Sequence, residues 1–515
     1  MKNTLIFLLL LIPIYNGFAQ EVLWQKTIGG QHSDYLSDMV PTLDYGFLLA
    51  GSSLSDKTGN KNQNGNGNLD YYLWKMDKDG EDEWQLSFGG EGIDVLKSIF
   101  PTSDMGYILG GYSNSGISGT KLTDNIGNND IWIVKINARG EEEWQKNYGG
   151  QGDDRLIKIK QTKDGGYIIV GTSNSNHSES KKEDCFGGVD FWIIKTDKTG
   201  GVEWERSYGG IYNDEPREII EKDNGYIIGG ISNSPKSGNK QKDSYGGFDI
   251  WVIELDGRGE KFNEFILGSE NDDYLTSIIN DGTDNTFTFC GNTYSEGENG
   301  NMSIASQKGS DFFVIKTDYK FNIKDQYIFD FKGNEILTSV THTLNKSLLL
   351  SGFKIDSKTR LKSYVAVEIN KQGEKLWEKE ISTDGDDVLR KAVVTRDGGI
   401  VFAGSSTGKN AKYKTNIQGR KDYWVVKLLA EEKEKKSKII IEAFPNPTED
   451  FSQIVINHEY KEGVVNVFDL NGRLLYTEKL KYDMVALNFS SYPVGTYVVN
   501  IKTDVVNTSI KVIKK

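Results

Sequence analysis

Two sets of carboxylates recur along this 515-residue chain. The first is Asp34, Asp94, Asp154, Asp214, Asp273 and Asp387, each a few residues after a corner that is usually Gly-Gly. Carboxylates in Asn/Asp/Gly-rich loops can hold Ca²⁺ through oxygen ligands. No stretch carries the spaced acid ladder of a Ca²⁺ loop, so an Asp repeated at one corner is read as a cap on turn N–H groups. The second set, Asp44, Asp104, Asp164, Asp223, Asp284 and Asp397, precedes Gly in most copies. A tight strand–turn–strand needs positive φ there, and Asp-Gly supplies it. The histidines His32, His177, His342 and His458 have no metal-ligand spacing. Trp132, Trp192, Trp251 and Trp424 would suit a sugar-stacking ring, but they lie in the most apolar runs and are read as core. No Gly-x-Ser-x-Gly elbow, P-loop or dinucleotide fingerprint occurs in context. No catalytic, cofactor-binding or metal-binding residue is therefore assigned, and no cofactor is implied.

The elements that carry these residues form a repeat. Trp24, Trp84, Trp144 and Trp204 recur with a spacing of 60, and weaker copies start near Phe265, Gln326 and Trp377. Each copy reads as four short strands, near 144–148, 156–162, 166–171 and 190–196 in the third, with Gly, Asp and Asn between them. No helical period of useful length appears. The expected fold is all-β: a seven-bladed β-propeller of about 60-residue repeats, followed by a small Ig-like β-sandwich. A lone Gly-rich repeat makes a marginal core, so stacking must bury what one copy cannot cover.

The phase is open. The Trp-bearing run is either the innermost strand of its own blade or the outermost strand of the preceding one. In the second case the run at Trp24–Thr27 pairs with the last blade and closes the ring, which removes two exposed edges. In either phase the corners such as Gly149–Asp154 share a face with the long loops, and the tight turns such as 164–166 lie opposite. The long polar loops, 52–69, 112–129, 172–189, 231–248, 292–310 and 405–421, are where recognition is expected.

A net charge of −13 argues against nucleic acid and anionic membrane surfaces as main partners. Residues 1–19 read as a signal peptide: Lys2, an apolar run from Leu5 to Ile14, and Gly17-Phe18-Ala19 before the cut. No other apolar run is long enough to span a bilayer. Cys185 and Cys290 are expected to be unpaired thiols. The resulting domain plan is the signal at 1–19, the propeller at 20–429, a charged linker at 430–441 and a C-terminal domain at 442–515.

That last segment has its own grammar: Pro445-Asn446-Pro447, Val465-x-x-Phe468-Asp469-x-x-Gly472-Arg473, Gly495-Thr496-Tyr497-Val498-Val499 and a terminal Lys511-Val512-Ile513-Lys514-Lys515. It resembles the type A C-terminal sorting domain of cargo for the type IX secretion system of Bacteroidetes. The resemblance implies that the secretion machinery is a partner of residues 442–515. It also implies a secreted or outer-membrane-surface location, and joining to surface lipopolysaccharide after a cut in or near 430–444. The array resembles, more loosely, bacterial seven-bladed propeller repeats of secreted and surface proteins. That family has no shared activity. The expectation is a non-enzymatic binding, adhesion or scaffold module with a protein or glycan ligand on the long-loop face. The alternative is a polysaccharide hydrolase or lyase with its site in the propeller funnel.

Overall fold

A computed structural model describes residues 21–178, 180–280, 286–297, 300–307, 309–409, 414, 416–429, 441–444, 446–448, 451–456, 460–480 and 484–515. The signal region, Asp284, His458, Pro445 and most of the charged linker lie outside the described residues.

Residues 22–428 form seven four-stranded antiparallel sheets. The first takes Asp34–Pro41, Phe47–Ser53, Asp70–Met76 and Asp82–Phe88 in that order, and the next five repeat the scheme. The innermost strands are Asp34–Pro41, Asp94–Pro101, Asp154–Gln161, Asp214–Lys222, Asp273–Asn280, Asn334–His342 and Asp387–Val394. Each packs on the next, and the last packs on the first, so the ring is closed. This is a propeller-like all-β array.

The phase is now resolved. The Trp-bearing run is the outermost strand of the preceding sheet, as Asp82–Phe88 with Trp84 shows. The seventh sheet takes its outer strand from the other end of the chain: Val22–Ile28 pairs with Asp422–Leu428, with Gln25 opposite Val426. An edge that would otherwise template aggregation is thereby paired.

The core lies between sheets. Trp132, Trp192, Trp251 and Trp424 are at most 1% exposed. Trp132 packs on Tyr71 of the preceding sheet, with ring centroids 4.6 Å apart. Burial of such rings, at roughly 25 cal/mol per Å² of apolar area, is what one sheet alone cannot obtain. The aromatic positions are core rather than a sugar platform.

The tail has two antiparallel sheets. Ile441–Phe444, Phe451–Ile456 and Met484–Asn488 form one; Leu474–Leu480, Gly463–Phe468, Gly495–Thr503 and Asn507–Lys514 form the other. Ile454, Val465, Leu487, Tyr497, Val499 and Val512 fill one shared core. Lys514 is buried, and its Nζ donates to the carbonyls of Phe489 at 2.7 Å and Tyr492 at 2.8 Å, tying down the last strand.

Candidate functional site

The first set of acids caps corners. The amides of Gly30, Gly90, Gly150, Gly210, Ser269 and Thr383 each donate to the Asp four residues on, at 2.6–2.8 Å. A second buried Asp starts the third strand of each sheet but the sixth: Asp70, Asp130, Asp190, Asp249, Asp311 and Asp422. It faces a corner acid across the sheet junction. Burial, and then the neighbouring acid among smaller causes, pushes Asp70 up to about 6 and Asp249 up to about 7.

Between the two acids of a sheet lies a group that the sequence reading passed over. Lys61, Lys121, Lys181, Lys240 and Lys414 are buried to within 2% of complete, inside what reads as polar loop. Lys240 Nζ donates to the carbonyls of Ser234 at 2.7 Å and Lys242 at 2.6 Å, with Asp214, then Glu264 and Asp249, as its counter-charges. Lys121 and Lys181 do the same work over the faces of Trp132 and Trp192. A buried lysine needs paired charge and satisfied donors, so its burial fixes the loop around it. The signal was present as a Lys nine positions before the third-strand Asp in four sheets, and eight before it in the seventh.

The long loops and corners do share a face: Gly152 N donates to Ser175 Oγ at 2.8 Å and Asp153 N to Asn174 Oδ1 at 2.7 Å. On the opposite face the second set of acids closes tight turns. Asp164 accepts from Gly166 N at 2.9 Å and pairs with Lys195 at 2.8 Å; Asp44, Asp104 and Asp397 repeat this with Lys75, Lys135 and Lys427. Positive φ follows the acid, at Gly165 and Gly398 but also at Tyr45 and Met105. Asp223 departs from the pattern and pairs with Lys163 on the surface. His32, His177 and His342 are exposed and lie in different sheets of the ring, Cys185 is half-buried, and Cys290 is core; neither cysteine is in a disulfide.

Repeated structure carries unrepeated chemistry along the central channel. Every innermost strand has a β-bulge after a Leu or Pro that recurs from sheet to sheet. A bulge breaks the inward–outward alternation and re-aims side chains. The two bulge residues are Ser37-Asp38, Lys97-Ser98, Ile157-Lys158, Arg217-Glu218, Thr276-Ser277, Thr338-Ser339 and Arg390-Lys391 around the ring. Several second members hold neighbouring strands together. Lys158 and Lys160 meet Glu218 at 2.7 and 2.9 Å, Lys391 meets Asp38 at 3.5 Å, and Ser339 Oγ accepts from Ala392 N at 3.1 Å. Burial alone would raise Glu218, but the two lysines outweigh it and hold the carboxylate well below its ordinary range.

Ser37 and Thr276 bond to the next innermost strand, but the basic first members are freer. Lys97 and Arg390 reach solvent and make no hydrogen bond or ion pair with a described residue, and Arg217 pairs only with Glu215 at 2.7 Å. Lys97 is walled by protein while touching water, as a channel residue is. Desolvation, then the guanidinium groups of Arg390, Arg217 and Arg155, pull its ammonium down to about 8, with Glu215 opposing. Arg155 and Arg217 lie toward the strand starts, on the long-loop side. The bulge ring holds five basic side chains against two acidic ones, in a protein of net charge −13.

Comparison with known proteins separates the two parts of the chain. The chain is 22% identical over 199 residues to "Regulatory protein FlaEY" of Caulobacter vibrioides, covering 36% of this chain and 21% of that protein. The chain thus spans about a fifth of that relative's length. Among solved structures, the fold is similar to a Kuenenia stuttgartiensis hydrazine synthase chain (11% identity, TM-score 0.41, 76% of this chain and 96% of that one). It is also similar to Sqt1 from Chaetomium thermophilum (8% identity, TM-score 0.41, 80% and 100%). Residues 442–515 match the family model described as "Secretion system C-terminal sorting domain". By this match, its motifs and its two-sheet structure, the segment 442–515 is a type IX secretion system C-terminal sorting domain.

Proposed function

We propose that this protein is a non-enzymatic binding module of the cell exterior, whose propeller captures an anionic polysaccharide at the long-loop mouth of its central channel. The sorting domain supports export by the type IX system and a secreted or cell-surface location. Removal of the tail in or near 430–444 and attachment to surface lipopolysaccharide complete this reading. The observation that carries the ligand class is the set of Lys97, Arg217 and Arg390, unpaired or half-paired cations that repeat in position but not in kind. Guanidinium groups match carboxylate and sulfate esters bidentately, and a channel with low-dielectric walls concentrates their field. The loops around the mouth are stiffened by their buried lysines, which lowers the ordering cost of binding.

The test is a glycan array and titration calorimetry on the full mature chain. Uronate-containing or sulfated glycans should bind, weakening with salt, and neutral glycans should not. The triple variant Lys97→Ala/Arg217→Ala/Arg390→Ala should lose at least tenfold in affinity with its circular dichroism unchanged. Equal binding of neutral and acidic glycans would overturn the reading.

A second reading rests on Lys97 itself. A lysine near neutral pKa beside arginines that neutralise a uronate is the pairing a polysaccharide lyase needs, with the amine removing the proton next to the carboxylate. Ultraviolet absorbance of unsaturated uronate product, lost in Lys97→Ala, would establish it in place of simple capture.

A further inference from the structure

At the junction of the fifth and sixth sheets the corner chemistry changes. By register, Glu335 stands where the other sheets have their corner Asp: Leu337 opposite Gly352 matches Leu275 opposite Gly291, each followed by the bulge. The sequence reading found no acid there because Glu replaces Asp and the Gly-Gly corner is lost. Glu335 faces Asp311, the third-strand acid of the fifth sheet, and Asp330 joins them from the connection between the two sheets. One carboxylate oxygen of each of the three lies within 4.8 Å of the others.

Two further observations separate this cluster from an ordinary acidic patch. Glu335 is 0% exposed and neither of its oxygens has a hydrogen-bond partner among the described residues, whereas the other corner acids leave at most one oxygen unpartnered. The other corner acids all receive a backbone amide, as Asp273 does from Ser269 at 2.7 Å. The counter-charge is also gone. The buried lysine of the other long-loop sheets is replaced in the fifth by Met302, which is 2% exposed, nine residues before Asp311 as Lys240 is before Asp249. None of the three carboxylates forms an ion pair with a described basic residue.

We infer that Asp311, Asp330 and Glu335 bind a divalent cation, Ca²⁺ by its oxygen ligands and size, in place of the lysine that locks the other sheets. Carboxylate oxygens no more than 4.8 Å apart fit around one ion at the Ca–O distance of about 2.3–2.6 Å, and a site built of protein carboxylates suits Ca²⁺ better than Mg²⁺, which gives up its waters reluctantly. The half-buried Asp330 gives the ion a way in.

The experiment uses the full mature chain, stripped with chelator and dialysed against Ca²⁺. Metal analysis after gel filtration should find one Ca²⁺ per chain, and thermal unfolding should shift upward with Ca²⁺ but not with equal Mg²⁺. Glu335→Gln should weaken Ca²⁺ at least tenfold. Met302→Lys restores the lysine of the sibling sheets. It should abolish the Ca²⁺ shift while keeping the chelator-treated protein at least as stable as wild type, so loss of binding is told apart from loss of folding. No retained Ca²⁺ in the wild type, or unchanged retention in Met302→Lys, would overturn the assignment and leave a carboxyl pair that shares a proton.

Discussion

Replacing Lys240 with Met, the residue its equivalent position carries in the fifth sheet, removes one buried cation at nearly constant volume. Its Nζ lies at 2.7 Å from the Ser234 carbonyl and 2.6 Å from that of Lys242, and its charge faces Asp214 and Asp249. Breaking a buried charge pair costs about 3–5 kcal/mol when the partner stays ionised. The partner need not stay ionised. Asp249 already titrates at about 7, raised by burial first and by Asp273 among smaller causes, and loss of Lys240 lifts it further. A carboxyl whose folded pKa is raised contributes stability that is fully present below its unfolded pKa and disappears as pH rises through the folded value. The variant should therefore be destabilised by roughly 3 kcal/mol at pH 8, and by only about 1 kcal/mol at pH 5, where Asp249 is neutral and the remaining loss is mainly that of hydrogen bonds. Urea unfolding at the two pH values measures this. Amide exchange should show the loop 233–248 opening first. Equal destabilisation at both pH values, or less than about 1 kcal/mol at pH 8, would refute the idea that the lysine is the loop's electrostatic lock.

Three further outcomes are expected. Glu218→Gln should destabilise the ring by about 3 kcal/mol at pH 7 through the stranded Lys158 and Lys160; because the folded pKa is depressed, wild-type stability should be lost as pH falls below the carboxyl's ordinary range, and a variant that unfolds in acid like wild type would count against the pairing. Deleting residues 442–515 should stop the protein reaching the cell surface, and unchanged surface labelling would sink the export assignment. Deleting residues 20–28 should expose the edge of Asp422–Leu428 and produce aggregation visible by light scattering, whereas a monomer with unchanged melting would show that the closing pair is dispensable.

Much of the array was legible because Trp spacing and Asp-Gly turns are local signals. The strand near 144–148 and the turn at 164–166 fall where the pattern puts them. The phase was not legible, since a repeat that is translated along the chain carries no mark of where one sheet stops; only the pairing of Gln25 with Val426 reveals it. Lys61 and its siblings were hidden because a lysine among Asn, Gly and Ser reads as solvent-exposed, and only the two flanking acids make its burial tolerable. Lys97, Arg217 and Arg390 were hidden by the bulge, which turns two adjacent residues to one side and defeats any reading by alternation. The tail was legible almost strand for strand, because its turns at Asp469–Gly472 and Tyr492–Gly495 punctuate short alternating runs.

The strand Val22–Ile28 has a kinetic consequence. Six sheets are built from contiguous sequence, so their contacts are local and their formation is fast; the seventh joins residues some four hundred positions apart, as Val22 meets Leu428. Loop-closure entropy grows slowly with length but must be met before that pairing is rewarded. Closure is accordingly expected to be the last event of folding and its reversal the first of unfolding. The sorting domain, from residue 442, follows Asp422–Leu428 across the charged run at 430–441. A pull on the tail is thus applied at the seam, in the strand whose release would open the ring.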